Sequence, residues 1–177
     1  MIEMRKKTVR TDRLILKAFE EKDRSALIGL LTDPVISRTF MIPDYSSPEE
    51  YGLLADRLIR FSHPEERSHL EYGIFRDHQL IGFVNDCGFN ENAIEIGYVI
   101  HPDHQNQGYA TEALKALLPE LREMGFHRMT AGFFEENPAS RRVMEKCGMV
   151  LTAKTETVEY RGRSHRCFYC EILLSSS

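Results

Sequence analysis

The period of the hydrophobic pattern changes once, abruptly, near residue 100, and this change constrains the fold more than any other feature. Residues 93–100, Ala93-Ile94-Glu95-Ile96-Gly97-Tyr98-Val99-Ile100, read as a strand. Pro102 ends regular pairing and a polar loop follows. Ala110, Ala113, Leu114, Leu117, Leu118 and Leu121 then recur at helical spacing, and Gly125 reads as the C-terminal cap. Residues 128–134 return to a strand pattern. The helix is therefore a crossover between two strands of one sheet. Pro119 inside it is expected to kink the helix or split off its last turn.

The flanking segments extend this unit. Residues 11–19 alternate enough to be a first strand, and Asp23 reads as the N-cap of a helix through Leu31, stopped by Asp33-Pro34. Residues 37–47 are aromatic and irregular and read as a loop. Ser47-Pro48-Glu49-Glu50 places a cap, a proline at the first helical position and acidic first-turn residues before a helix to about Phe61. Residues 70–76 and 80–89 flank a turn at Asp77-His78, a hairpin signal. Residues 138–146 read as a helix ending at Gly148, and 150–160 and 166–174 as a terminal hairpin about Gly162. With no repeat or linker, residues 1–177 are expected to form one α/β domain with a mixed central sheet.

A net charge of −4 supplies no global basic field, so nucleic acid is not an expected partner. No apolar run is long enough to cross a bilayer, and residues 1–10 are polar, so a cytoplasmic protein without a membrane partner is expected. Cys87, Cys147, Cys167 and Cys170 then read as reduced thiols. Cys167 and Cys170 fall in a strand pattern, where residues three apart face opposite sides, and no second Cys/His pair accompanies them. No metal site is expected.

The loop at 101–108 carries the chemistry. A helix that starts near Gly108 presents free backbone N–H groups at its positive end, which suits a phosphate. Gly108 and the small Ala110 let a ligand approach the backbone closely. An ordinary strand-to-helix turn that holds one glycine accounts for the loop equally well when it is read alone.

Gln105-x-x-Gly108-x-Ala110, after a strand and opening a helix, resembles the acetyl-CoA signature of the GCN5-related N-acetyltransferases. The string Gly108-Tyr109-Ala110-Thr111-Glu112-Ala113-Leu114 resembles the branch containing ribosomal-protein N-terminal acetyltransferases and spermidine acetyltransferases. Asn137-Pro138-Ala139-Ser140, followed by Val143, Met144, Glu145, Lys146, Gly148 and Met149, is similar to that branch's next helix, and residues 11–16 to its opening strand. The resemblance implies the family's fold: a mixed sheet with a splayed pair of parallel strands and about four flanking helices. It implies acetyl transfer from acetyl-CoA to a primary amine, foremost an N-terminal α-amine of a protein or peptide. Polyamine or small-molecule acetylation, and a non-catalytic acyl-CoA-binding module, are the alternatives. A monomer or homodimer is expected.

The resemblance also implies roles. Backbone groups of Gln105, Asn106, Gln107, Gly108, Tyr109, Ala110 and Thr111 hold the diphosphate. Those of Tyr98, Val99 and Ile100 pair with the pantetheine arm as an added strand. Asn137 bonds the pantetheine amide and Ser140 lies beside the same arm, although Asn137 also reads as a helix N-cap. Glu95 is similar to the strand glutamate that takes the amine proton; a salt-bridged structural carboxylate is the competing reading. The tyrosine that serves as acid in many relatives falls at Met144, which leaves Tyr169, Tyr98 or solvent for that role. Cys87 lacks a nucleophile's His/Asp partners, and His101 and His104 are expected to face solvent. Arg141, Arg142 and Lys146 either reach the ribose phosphate or form a solvated helix face.

Overall fold

A computed structural model describes Ile2 and residues 5–174. Eight strands form one sheet in the order β1-β2-β3-β4-β5-β6-β8-β7, where β1 is Thr8–Arg10, β2 Ile15–Lys17, β3 Glu71–Arg76, β4 Gln79–Phe89, β5 Ala93–Ile100, β6 Arg128–Phe134, β7 Val150–Tyr160 and β8 Arg163–Leu173. Every neighbouring pair is antiparallel except β5 and β6. The helices are α1 Arg24–Leu31, α2 Ile36–Thr39, α3 Pro48–Phe61, α4 Tyr109–Glu123 and α5 Pro138–Lys146. The domain expected over 1–177 includes residues 1, 3, 4 and 175–177, which lie outside the described residues.

Two apolar layers cover the sheet. On one face, Leu114, Leu117 and Leu121 of α4 and Met144 of α5 pack on Ile94, Ile96, Met129 and Ala131. On the other, Leu27 and Leu30 of α1 and Ala55 of α3 pack on Phe75, Phe83 and Val99. Cys167 and Cys170 fall in different clusters, as strand alternation requires of residues three apart.

Four expectations are corrected. The strand expected over 11–19 is reduced to β2, with β1 lying before it, because Thr11 folds the chain back between them: its N–H donates to Leu14 C=O at 2.9 Å and its Oγ1 accepts from Leu14 N–H at 2.9 Å. Asp23 does not cap α1 with its side chain; its carboxylate accepts from Glu20 N–H at 2.8 Å and closes a 3-10 turn that leads into the helix. The loop expected over 37–47 begins with the short helix α2. Helix α4 runs through Pro119 to Glu123 unbroken. Pro119 and Lys115 are both exposed, so the carbonyl that lacks a donor lies on the watered side of the helix.

Other local signals act as the residues dictate. Ser47 and Glu50 form a capping box at α3, with Pro48 at the first turn. Asp77 and His78 both take positive φ, as do Arg161 and Gly162, so each hairpin closes through a two-residue turn whose twist matches its strands. Among the described residues, no helix is long and apolar enough to cross a membrane.

The feature that positions the site is the parting of β5 and β6. They pair only from Ala93↔Arg128 to Glu95↔Thr130. Beyond that, β5 stays in register with β4 out to Ile100, and β6 stays with β8 out to Phe134. Each strand keeps its outer partner, and a cleft opens between them.

Candidate active site

The cleft has a volume of about 660 Å³. It brings together Glu95, Tyr98, Val99, Ile100, Gln105, Asn106, Gly108, Tyr109, Ala110, Thr111, Asn137, Ser140 and Tyr169; of the expected site residues, only Gln107 stands outside its wall. The backbone of β5 faces the cleft unevenly. His101 N–H donates to Ile81 C=O at 2.7 Å, so alternation turns Val99 toward β4 as well, in register with Phe83. Tyr98 and Ile100 face the side that β6 has left. A further strand-like ligand would find its partners there.

Below this open edge, side chains shape the loop before α4. Gln105 Nε2 donates to Ile100 C=O at 2.9 Å, and Gln107 Nε2 to Asp103 C=O at 3.2 Å. Both glutamines hold the loop's shape. Gln105 N–H turns back to Pro102 C=O at 3.3 Å, so the N–H groups that face outward begin beyond it. Asn106 (φ 59°) and Gly108 (φ 82°) are both left-handed, a conformation that gathers successive N–H groups into a concavity for an anion. The first turn of α4 adds its own unpaired donors. These features fit the diphosphate of coenzyme A.

The sequence reading missed how this loop is anchored. Glu112 of α4 accepts from Thr11 Oγ1 at 2.6 Å, Arg13 N–H at 2.9 Å and Arg13 Nε at 2.7 Å. Arg13 also donates to Gln107 C=O at 2.9 Å and lies over the Tyr109 ring at 4.4 Å. The β1–β2 turn therefore clamps the loop from a point about a hundred residues away. Paired residues this far apart leave no periodic trace in the sequence.

On the α5 side, Asn137 Oδ1 accepts from Ser140 N–H at 3.3 Å, so Asn137 is the N-cap of α5. The Ser140 hydroxyl lies 2.7 Å from Tyr98 Oη and ties β5 to α5 across the cleft floor. Met144 is fully buried in the core and has no access to the cleft. His104, expected to face solvent, is half-buried and lines the cleft.

The opposite end gathers the polar groups that can act on an acceptor. Glu95 lies where β5 and β6 part. Burial raises its carboxyl above the usual carboxylate range; Lys154 opposes the shift and Glu156 adds to it. Tyr169 donates its hydroxyl proton to Glu156, and Lys154 lies over its ring at 4.0 Å. Burial, and then this bond to a carboxylate, raise the Tyr169 phenol, so its proton is held firmly. Asn85 Oδ1 is buried at this end with no hydrogen-bond partner among the described residues. Cys87 is accessible from the cleft, but desolvation by its surroundings, with Glu95, Asp86 and Glu71 nearby, pushes its thiol up to about 12, which suppresses the nucleophilic thiolate. Among the described residues, no group of three His, Cys, Asp or Glu side chains is placed to hold a metal.

The surroundings of Glu95 predict a pH signature. A base with a raised pKa works above that pKa and loses activity as pH falls through it. Lys154→Met removes the opposing cation, so the acid limb of the kcat/KM profile should move to higher pH. Glu156→Gln removes the like charge and should move it to lower pH. If the limb stays in place in both variants, it does not report Glu95.

Comparison with known proteins agrees with this architecture. The acetyltransferase (GNAT) domain profile matches residues 13–150. The uncharacterized N-acetyltransferase YnaD of Bacillus subtilis is 35% identical over 144 residues, 80% of this chain and 81% of that protein. Among solved structures, a RimL ribosomal L7/L12 α-N-protein acetyltransferase in complex with coenzyme A superposes with a TM-score of 0.82 at 22% identity, covering 94% of this chain and 97% of the other. A spermidine N-acetyltransferase from Vibrio cholerae, in complex with coenzyme A and spermine, gives 0.77 at 22% identity, covering 93% and 97%. The chain belongs to the GNAT family of acetyltransferases, whose co-substrate is acetyl-CoA.

Proposed function

We propose that this acetyltransferase transfers the acetyl group directly to a primary amine, and that the amine is the α-amine of a peptide or protein N-terminus. The observation that supports this is the parted β5–β6 pair, with a phosphate-suited loop at one end of the cleft and Glu95 at the other. Backbone groups of Tyr98 and Ile100 align the pantetheine arm, and the Asn106–Thr111 backbone holds the diphosphate. Glu95 takes the amine proton, directly or through water. The amine attacks the thioester carbonyl, and the Ile100 backbone N–H, on the edge of β5 that faces away from β4, holds the oxyanion. Tyr169 is bonded to Glu156 and Tyr98 to Ser140, so solvent is the readiest proton source for the departing thiolate.

The acceptor type follows from proton chemistry together with the resemblance to the N-terminal acetyltransferase branch. An attacking amine must be neutral. An α-amine has a pKa of about 8 and a lysine ε-amine about 10.4, so deprotonating lysine costs about 3 kcal/mol more. A site without a dedicated acid suits the easier acceptor.

The test offers acetyl-CoA with free and blocked peptides, a blocked lysine peptide, spermidine and small aminated metabolites. Free-N-terminal peptides should show the highest kcat/KM. Acetylation confined to polyamines or small molecules would remove the N-terminal preference, and transfer only to alcohols or thiols would remove amine transfer itself. Release of no thiol with any acceptor would leave a binding module.

A further inference from the structure

A second hollow, of about 800 Å³, adjoins the acetyl-transfer cleft. Arg38 and Thr39 line both, so the two share a wall at the end of α2. The second hollow carries Arg38, Arg161, Arg163 and Arg166 against Glu135 and Glu136. Four arginines face two carboxylates, so the carboxylates offset only part of the positive charge, and Arg163 acts on Glu136 only at longer range. Glu136 is bonded to His165 Nδ1, whose ring stacks on Phe134 at 4.4 Å. Arg161 is committed elsewhere, donating to Ile42 C=O at 3.0 Å and pairing with Asp44 at 3.9 Å. Arg166 lies over the Phe168 ring at 5.1 Å. Among the described residues, the guanidinium groups of Arg38, Arg163 and Arg166 have no carboxylate within ion-pair distance. The surplus stands out on a chain whose net charge is −4.

Guanidinium groups without partners, at the edge of a hollow, suit carboxylates, which they bind in a fork of two hydrogen bonds. The hollow is separate from the place where Glu95 meets an amine, yet continuous with it through Arg38 and Thr39. It also has far more room than a single carboxylate fills. A ligand with its amine in the cleft and its anionic groups in the hollow must be an extended chain. Resting on the N-terminal reading above, we infer that this hollow receives acidic side chains of the residues that follow the acceptor's α-amine, so that the acceptor is a peptide with an acidic N-terminal segment. Arg38 stands at the threshold and Arg163 and Arg166 lie beyond it.

The test measures binding, so it does not depend on turnover. Protein loaded with coenzyme A is titrated with C-terminally labelled hexapeptides that share their first residue and carry acidic, neutral or basic residues at positions two to five. The acidic peptide should bind about tenfold tighter than the neutral one at low salt, and the advantage should shrink as salt screens it. Arg38→Gln and Arg163→Gln should each remove about threefold or more of that advantage, and Arg163→Gln, which lies outside the acetyl-transfer cleft, should leave the neutral peptide unchanged. Both side chains are exposed and, among the described residues, neither forms a close ion pair, so the variants should fold. Equal binding of all peptides, a preference for the basic one, or an acidic preference untouched by both substitutions would overturn the inference, as would no binding at all. Acetylation of the same peptides is scored separately. An intact acidic preference without transfer would count against the α-amine reading and in favour of the hollow's role.

Discussion

Gly108→Val is expected to weaken acetyl-CoA binding by about a hundredfold or more, while the protein stays folded. Gly108 precedes α4 with φ 82°, a left-handed conformation that a β-branched residue adopts only under strain, at a cost of roughly 1–3 kcal/mol. A Cβ there would also come within 3.3 Å of an Arg13 guanidinium nitrogen, and Arg13 holds the neighbouring Gln107 carbonyl. The loop must then move, a branched side chain enters the space the diphosphate needs, or both. Gly108 is exposed and outside the core, so global stability should survive. Thermal melting gives the readout. At a ligand concentration of about a hundred times Kd, the unaltered protein gains about 2.7 kcal/mol, a rise of roughly 5–10 °C for a chain of this size. The variant should show almost none of that rise at the same concentration. An equal shift in a folded variant would remove the loop from the coenzyme site.

The two ends of the cleft differ in how readable they were, for a physical reason. The coenzyme end is built from residues close together in sequence: β5, the 101–108 loop, α4 and the start of α5. Each announces itself through period, glycine placement or a cap, as Gly108 and Asn137 do. The parted strands followed from the family resemblance, and the register confirms them. The acceptor end is assembled from distant pieces, α2, β4, β7 and β8. Helix α2 has only four residues, too few for a periodic signal. Glu156 reaches Tyr169 because β7 and β8 shift register between Leu151 and Thr155, an irregularity that strand alternation does not announce. The break between β1 and β2 was hidden because the Thr11 side chain makes the turn without glycine or proline. Arg38 and Asn85 had no motif at all; only the folded cleft brings them to its wall.

Glu95→Gln is expected to lower kcat by about 10²–10⁴ while acetyl-CoA affinity changes little. The substitution keeps the size of the side chain and removes its basicity. Glu95 lies on the part of β5 still paired with β6, before the strands separate, so its amide neither borders the diphosphate loop nor disturbs the open edge at Tyr98 and Ile100. A purely structural carboxylate would behave otherwise. It would hold an ion-pair partner, and among the described residues no cation forms an ion pair with Glu95; Lys154 acts on it only at longer range. Removing a desolvated charge without a close partner should not destabilise the protein, because the burial that raises the Glu95 carboxyl is a cost of keeping it ionised. By the sign of that shift, the cost is greatest at high pH, where the charge is fixed, and disappears at low pH, where the carboxyl is protonated in both folded and unfolded chains. Glu95→Gln should therefore leave the melting temperature unchanged at low pH and unchanged or higher near neutrality, while turnover collapses. A higher external pH supplies neutral amine without a base, so the variant's rate should climb toward the unaltered enzyme's as pH rises above the amine pKa. A rate loss under threefold across the whole pH range, or a fall in melting temperature matching the fall in rate, would make Glu95 a structural residue and move the proton transfer elsewhere.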